Sequence, residues 1–92
     1  MRFCWDEAKD QANRRKHKVS FEVAARVFFD PQRIEMYDDR HSEDRWIVIG
    51  AVEPALLVVV YTVRDEETEV IRLISARRAN AQETRAYRER RV

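Results

Sequence analysis

The sequence contains a single glycine, a single cysteine and two histidines among its 92 residues. Gly50 alone cannot build the glycine-rich loops that cradle phosphates, so Rossmann-type and Walker-type nucleotide sites are excluded. Cys4 cannot form an internal disulfide, and its apolar neighbours predict a buried, unreactive thiol. His17 and His41 are far apart and have no cysteine pair beside them. We therefore expect no metal site and no cofactor.

The sequence also lacks a long apolar segment. Its longest apolar run, residues 55–61, has the length of a β-strand and is too short for a signal sequence or a membrane-spanning helix. A single cysteine is typical of a reducing compartment. We therefore expect a cytoplasmic protein that does not bind membranes.

The length predicts one domain, residues 1–92. A chain of this size buries only about 60–65% of the surface that it exposes when unfolded, and it cannot supply two cores. The hydrophobic content of 45% indicates a folded chain in spite of 38% charged residues.

The formal net charge of +1 conceals a strong segregation of charge. Residues 1–21 contain six basic and three acidic side chains, residues 22–69 five and twelve, and residues 70–92 seven and two, which gives net charges of +3, −7 and +5. Fifteen of the eighteen cations are arginines, whose planar guanidinium suits bidentate contact with phosphate or carboxylate. The two basic ends favour a polyanionic partner.

The first thirty residues predict a short strand and two helices. Alternation at residues 2–5 favours the strand, and Asp6 can cap a helix over residues 7–17, to which Ala8 and Ala12 give only a thin apolar face. Ser20 can cap a second helix, which proline ends after residue 30.

After Pro31 the spacing of the apolar residues changes from the helical period to a period of two residues. The alternation predicts four strands, near residues 33–36, 46–52, 56–64 and 70–76, joined by short loops that suit antiparallel neighbours. A capping-box pattern, Asn80-x-x-Glu83, then begins a helix over residues 79–91. The predicted fold class is α+β: an antiparallel sheet of four to five strands with two N-terminal helices and a C-terminal helix, in the order β-α-α-β-β-β-β-α, with the helices on one face.

Strand alternation brings several arginines towards the ends of neighbouring strands. Arg45 opens the second sheet strand, Arg64 shares a face with Thr62, and Arg72 and Arg77 fall on opposite faces of the fourth. Salt bridges to the acidic loops would explain any one of them. Clustered guanidinium groups nevertheless repel each other unless an anion lies between them. A phosphodiester is a suitable anion.

The loop of residues 38–44 contains the only cluster that combines an imidazole with carboxylates. His41 can exchange a proton near neutral pH, and Glu43 can orient or assist it. An idle surface histidine is the alternative interpretation.

A polar stripe on the first helix is the strongest electrostatic candidate for a polyanion surface. Lys9, Asn13 and Lys16 recur at helical spacing on one side of that helix. A solvated helix face is the alternative interpretation. His17, at the helix end, can instead face the negative end of the helix dipole.

These residues form part of a longer pattern that covers almost the whole chain. The pattern comprises Phe3, Trp5, Asp6, Lys9, Asn13, Lys16, His17, Val19, Ser20 and Phe21, then Phe28, Asp30, Asp38, His41, Arg45, Ile49, Gly50, Val60, Tyr61 and Thr62, and finally Ile71, Arg72, Ile74, Ser75, Ala76, Arg77, Ala79, Glu83 and Tyr87. It resembles the BrnT family of bacterial type II toxin-antitoxin systems. Lys18 is a departure, because the family usually has glycine after Lys-His.

The resemblance implies a RelE-like fold and a ribonuclease toxin that cleaves RNA without a metal ion and arrests translation. The implied partners are an RNA substrate and a BrnA-like ribbon-helix-helix antitoxin in a hetero-oligomer, for example a 2:2 complex. DNA would be contacted only through the antitoxin.

The resemblance and the strand positions together suggest roles for ten residues. The charge stabilisers are Arg64, Arg72 and Arg77, with Arg45 assisting; the proton-transfer groups are His41 and Glu43; the RNA-binding residues are Lys9, Asn13, Lys16 and His17. Two other function classes stay open at this point: a non-catalytic nucleic-acid-binding module and a protein-interaction module.

Overall fold

The computed structural model describes residues 1–90 and contains five strands, three α-helices and one 3₁₀ helix. The elements are β1 (Arg2–Cys4), α1 (Glu7–His17), α2 (Phe21–Ala24), a 3₁₀ helix (Ala25–Phe29), β2 (Ile34–Asp38), β3 (Arg45–Val52), β4 (Ala55–Asp65), β5 (Val70–Arg78) and α3 (Ala81–Glu89). The predicted α+β class and element order are confirmed. Arg91, where the predicted third helix ends, lies outside the described residues.

The strands form one mixed sheet in the order β1-β5-β4-β3-β2. Strands β2 to β5 are an antiparallel meander, as predicted. Strand β1 pairs with β5 in parallel, so the expectation of a wholly antiparallel sheet is wrong for this pair. Phe3 packs against the core, and strand alternation turns Cys4 the other way. Cys4 is therefore exposed rather than buried.

The helix starts follow the predicted caps. The side chain of Asp6 accepts hydrogen bonds from two backbone N–H groups of the first turn of α1, and the Ser20 hydroxyl accepts one from the first turn of α2. Asn80 and Glu83 form a reciprocal capping box at α3. These contacts satisfy backbone donors that a helix start otherwise leaves unpaired. No helix within residues 1–90 is long and apolar enough to cross a membrane.

The main core lies between one face of the sheet and the α1–α2 segment with its 3₁₀ helix. Its fully buried side chains include Phe21, Val27, Val48, Val59 and Leu73. Gly50 faces this layer, and a Cβ at that position would lie 3.1 Å from both the Cβ and the carbonyl oxygen of Val27. The only glycine therefore lets the 3₁₀ helix pack directly on β3.

Helix α3 covers the opposite face of the sheet, so the expectation that all helices lie on one face is wrong. Ile49 and Val58 alternate with core residues and are nevertheless buried, at 2% and 4% exposure. The Tyr87 hydroxyl donates to the Asp30 carboxylate, which also accepts from the backbone N–H of Ala51 at 2.8 Å. Helix α3 has no buried residue of its own, and the hydrogen bond from Tyr87 to Asp30 ties it to the rest of the fold.

The turn after α1 contains a lysine in a conformation that favours glycine. Lys18 has φ 62° and ψ 27°, and its backbone N–H donates to the carbonyl of Arg14. A left-handed conformation costs a non-glycine residue about 1–2 kcal/mol.

We expect the Lys18→Gly variant to be more stable than the wild type by about 1 kcal/mol, because glycine removes the steric cost of the left-handed turn. Urea unfolding measures the change, and Lys16→Gly inside the helix is the opposite control, with a loss of about 1 kcal/mol. Equal destabilisation by both substitutions would contradict this explanation of the turn.

Candidate active site

Two irregularities in the β4–β5 pairing shape the candidate site. Val60 pairs with Ser75 and Tyr61 with Leu73, so Ile74 is an extra residue in β5. Val63 pairs with Ile71 and Asp65 with Val70, which leaves Arg64 as an extra residue in β4. Such bulges re-aim side chains and are frequent beside active sites.

The bulge at Ile74 changes the predicted arginine geometry. Ile71, Leu73 and Ala76 belong to the core cluster, so the core-facing spacing in β5 changes from two to three across the bulge. Arg72 and Arg77 consequently lie on the same face of the sheet, which corrects the prediction from strict alternation.

An open cavity of about 460 Å³ contains both bulged residues. It is lined by Lys9, Glu43, Asp44, Thr62, Val63, Arg64, Arg72 and Ile74. Four of the ten predicted site residues meet here: Lys9, Glu43, Arg64 and Arg72. The cavity therefore combines three cations from α1, β4 and β5 with two carboxylates from the loop between β2 and β3.

The cavity cations are available to a ligand. Within residues 1–90, neither Lys9, Arg64 nor Arg72 forms an ion pair with a carboxylate. Arg72 is half-buried, and its backbone is paired with Cys4 on one side and with Thr62 on the other. Unneutralised guanidinium groups held by paired strands are suited to an anion with several oxygens, such as a phosphodiester.

Arg45 and Glu43 form an ion pair at the start of β3, with 3.0 Å between Arg45 Nε and Glu43 Oε1. Trp46 pairs with Tyr61 across β3 and β4, so Arg45 lies close to Thr62, beside the cavity. The structure thus places Arg45 next to the site but commits part of its guanidinium to Glu43.

The predicted proton-transfer histidine does not line the cavity. His41 Nε2 lies 3.5 Å from Asp38 Oδ2, and Asp38 also accepts two side-chain hydrogen bonds from Arg40, at 2.8 and 3.0 Å. These bonds from Arg40 lower the pKa of the Asp38 carboxyl to about 2. The imidazole therefore faces an anchored structural carboxylate in its own loop.

Arg77 lies away from the cavity, at the other end of β5. Its two terminal nitrogens donate to the Glu83 carboxylate at 2.8 and 2.7 Å, and this bidentate pair raises the pKa of Arg77 and lowers that of Glu83. Glu83 is also the capping-box residue of α3. Arg77 therefore joins α3 to the sheet, and the structure does not bring it together with Arg64 and Arg72.

Asn13 was predicted to bind RNA, but it is buried, at 7% exposure. Its amide nitrogen donates to the carbonyls of Val19 and Ala76 at 2.9 and 2.8 Å, and its amide oxygen accepts from the Ala76 N–H at 3.1 Å. Strand β1 pairs with only residues 70–72 of β5. The Asn13 amide therefore acts as a strand partner further along that edge, a structural role that its position on the polar stripe did not indicate.

The buried face of α1 is polar rather than apolar. Besides Asn13 it contains Asp10, whose carboxylate accepts from the Phe21 N–H at 2.8 Å; Ala8 and Ala12 are exposed. Lys16 is exposed and His17 is half-buried, and neither lines the cavity. Only Lys9 of the predicted RNA-binding stripe reaches it.

Sequence reasoning missed Asp44 as a site residue. It lines the cavity, and Asp44 Oδ1 accepts a hydrogen bond from the Tyr37 hydroxyl at 2.7 Å. No local pattern distinguishes it from the neighbouring acidic residues of the loop. Within residues 1–90, no three His, Cys, Asp or Glu side chains are grouped so that they could hold a metal ion.

The geometry defines a class of site: a small α+β domain with an arginine- and lysine-lined cavity beside carboxylates, suited to a phosphodiester. Residues 5–83 match the family described as "Ribonuclease toxin, BrnT, of type II toxin-antitoxin system". This chain belongs to the BrnT family of ribonuclease toxins, and the resemblance seen in the sequence is confirmed.

A solved structure shares the fold. The 1.1 Å crystal structure of the Brucella abortus ribonuclease toxin, BrnT, matches with a TM-score of 0.67 and 24% sequence identity, over 87% of this chain and 97% of that chain. At this identity the likeness shows the fold alone. No curated protein matches the sequence.

We expect Asn13→Ala to destabilise the protein by about 2–4 kcal/mol, because it leaves buried backbone groups of Ala76 and Val19 without partners. Urea unfolding gives the value. Gln11→Ala, on the exposed side of the same helix, should change stability by less than about 0.5 kcal/mol. If Asn13→Ala retained full stability but lost affinity for RNA, the RNA-binding role would be right and the structural role wrong.

Proposed function

We propose that this toxin is a metal-independent endoribonuclease whose cleavage site is the cavity between α1, β4, β5 and the loop of residues 38–44. The observation that carries the proposal is the convergence of Lys9, Arg64 and Arg72, unpaired with carboxylates in residues 1–90, beside Glu43 and Asp44. Cleavage of messenger RNA by this site would arrest translation.

The reaction that suits these groups is attack of the ribose 2′-hydroxyl on the adjacent phosphorus. A base removes the 2′-hydroxyl proton, negative charge grows on the phosphorane oxygens, and the 5′-oxygen leaves with a proton. Arg64 and Arg72 can donate to the phosphorane oxygens, and each such donor contributes about 10²–10³ in rate in preorganised sites. Arginine thus supplies the charge stabilisation that a metal ion supplies in other nucleases.

The remaining cations extend the site into a surface for RNA. Lys16 follows Lys9 at i, i+7, which is about 10 Å along α1, and His17 adds a further nitrogen at the same end. Arg45 assists from beside Thr62. In this proposal Arg77 has a structural role: it holds α3 against the sheet, because its guanidinium is already bonded to Glu83.

We further propose that the antitoxin is a BrnA-like protein with a ribbon-helix-helix segment. Membership of a type II toxin-antitoxin family implies a protein partner. Carboxylates from such a partner would neutralise Lys9, Arg64 and Arg72 and exclude RNA from the cavity. The hetero-oligomer, for example a 2:2 complex, would contact DNA through the antitoxin.

We expect Arg64→Ala and Arg72→Ala each to lower kcat for RNA cleavage by about 10²-fold or more, because each removes one donor to the phosphorane. Single-turnover cleavage of a short RNA oligonucleotide, with and without EDTA, gives the rates. EDTA should leave the wild-type rate unchanged, and the products should end in 2′,3′-cyclic phosphate.

The matched control is Arg26→Ala, which removes an exposed arginine of the 3₁₀ helix. Its rate should stay within about threefold of the wild type. If Arg64→Ala and Arg72→Ala cleaved as fast as this control, the cavity would not be the cleavage site. Intact RNA with salt-dependent binding would instead indicate a non-catalytic binding module.

We expect the complex with a BrnA-like antitoxin to cleave RNA at least about tenfold more slowly than the free toxin, because partner carboxylates occupy the cations. Co-expression and purification of the complex, followed by the same assay at equal toxin concentration, gives the ratio. Equal activity of the complex and the free toxin would refute neutralisation at this site.

A further inference from the structure

The two carboxylates of the cavity have different partners. Glu43 Oε1 is ion-paired with Arg45 Nε at 3.0 Å. Asp44 forms no ion pair within residues 1–90; its only side-chain hydrogen bond comes from the neutral Tyr37 hydroxyl, at 2.7 Å to Oδ1. The second carboxylate oxygen of Asp44 has no protein donor in the described part of the chain.

This difference matters for proton transfer. A carboxylate oxygen that is already bonded to a guanidinium has fewer lone pairs free for a substrate hydroxyl than an oxygen without a protein donor. A general base also needs an oxygen with a free lone pair that can reach the substrate hydroxyl. Asp44 lines the cavity and has one oxygen without a donor within residues 1–90, whereas Glu43 is held by Arg45.

Tyr37 is built to hold Asp44 in place. Its backbone pairs with Trp46 across β2 and β3, and its ring packs edge-on against the Trp46 ring, with 5.2 Å between the centroids. The hydrogen bond to Asp44 raises the pKa of the Tyr37 hydroxyl, so the phenol keeps its proton at neutral pH. The Tyr37 ring, held edge-on against Trp46, thus positions the Asp44 carboxylate through its hydroxyl.

Resting on the ribonuclease function proposed above, we infer that Asp44 is the catalytic base and that Tyr37 is its positioning residue. Asp44 Oδ2 takes the proton of the ribose 2′-hydroxyl while the 2′-oxygen forms a bond to phosphorus. The bond from phosphorus to the 5′-oxygen then breaks, and the leaving 5′-oxygen takes a proton from solvent. Asp44 afterwards returns its proton to water, which completes the cycle.

Other charged groups around Asp44 define the conditions of the test. Lys9 of α1, Arg64 of β4 and Arg72 of β5 line the same cavity, and Glu43 is the chain neighbour. Because several charged groups share the cavity, the pH–rate profile is compared between variants that each change one of them.

The decisive variants are Asp44→Asn and Tyr37→Phe, assayed by single-turnover cleavage of an RNA oligonucleotide across pH. Asp44→Asn should lower the rate by about 10²-fold or more and abolish the acidic limb, because the amide cannot accept the proton. Tyr37→Phe retains the ring and should slow cleavage by about tenfold or less. Its acidic limb should move to higher pH, because the ionised carboxylate loses a hydrogen bond.

Asp39→Asn is the matched control, since it makes the same chemical change at an exposed residue of the same loop that does not line the cavity. Its profile should coincide with that of the wild type. Urea unfolding of each variant separates loss of chemistry from loss of structure.

Three results would overturn the inference. The first is Asp44→Asn cleaving at the wild-type rate, and the second is the acidic limb vanishing only in Glu43→Gln or His41→Ala; both leave the proposed function standing. The third is a wild-type protein that cleaves no RNA at any pH, which refutes the proposed function as well.

Discussion

The side-chain amide of Asn13 is the contact on which the site geometry depends. It bonds both backbone groups of Ala76 and the carbonyl of Val19. It therefore continues the edge of β5 beyond the end of β1 and fixes α1 beside that edge. Lys9 lies one helical turn before Asn13, so the same contact determines where Lys9 meets Arg72. A polar anchor replaces the apolar stripe that usually holds such a helix.

The arginines discussed above are of two kinds: those bonded to a carboxylate, and those without such a partner within residues 1–90. Arg40, Arg45 and Arg77 are bonded to Asp38, Glu43 and Glu83 respectively, so these arginines are committed to ion pairs within the fold. Arg64 and Arg72 have no such partner in residues 1–90. The near-zero net charge therefore coexists with a local excess of cations at the cavity.

Local chemistry explains which features were predictable. The caps at Asp6, Ser20 and Asn80 and the period-two strands depend on neighbouring residues, and they are correct. The parallel pairing of β1 and the covering of the second sheet face by α3 depend on distant contacts, and alternation does not encode them.

The candidate site shows the same division. Arg64 and Arg72 lie in the cavity as strand positions suggested, but a bulge at Ile74 has no local signal, so the face of Arg77 was predicted wrongly. The helical spacing places Asn13 on a polar stripe with Lys9 and Lys16, but in the structure its side chain is buried. Asp44 is one of several acidic loop residues, and only its bond to Tyr37 distinguishes it.

The most direct test of the central claim is a crystal structure with a bound RNA oligonucleotide that has a 2′-O-methyl group at the cleavage position and cannot react. We predict that the adjacent phosphate lies in the cavity, with its oxygens at about 2.7–3.2 Å from nitrogens of Arg64 and Arg72. A phosphate bound only along the Lys16 end of α1, with the cavity empty of RNA, would contradict the claim.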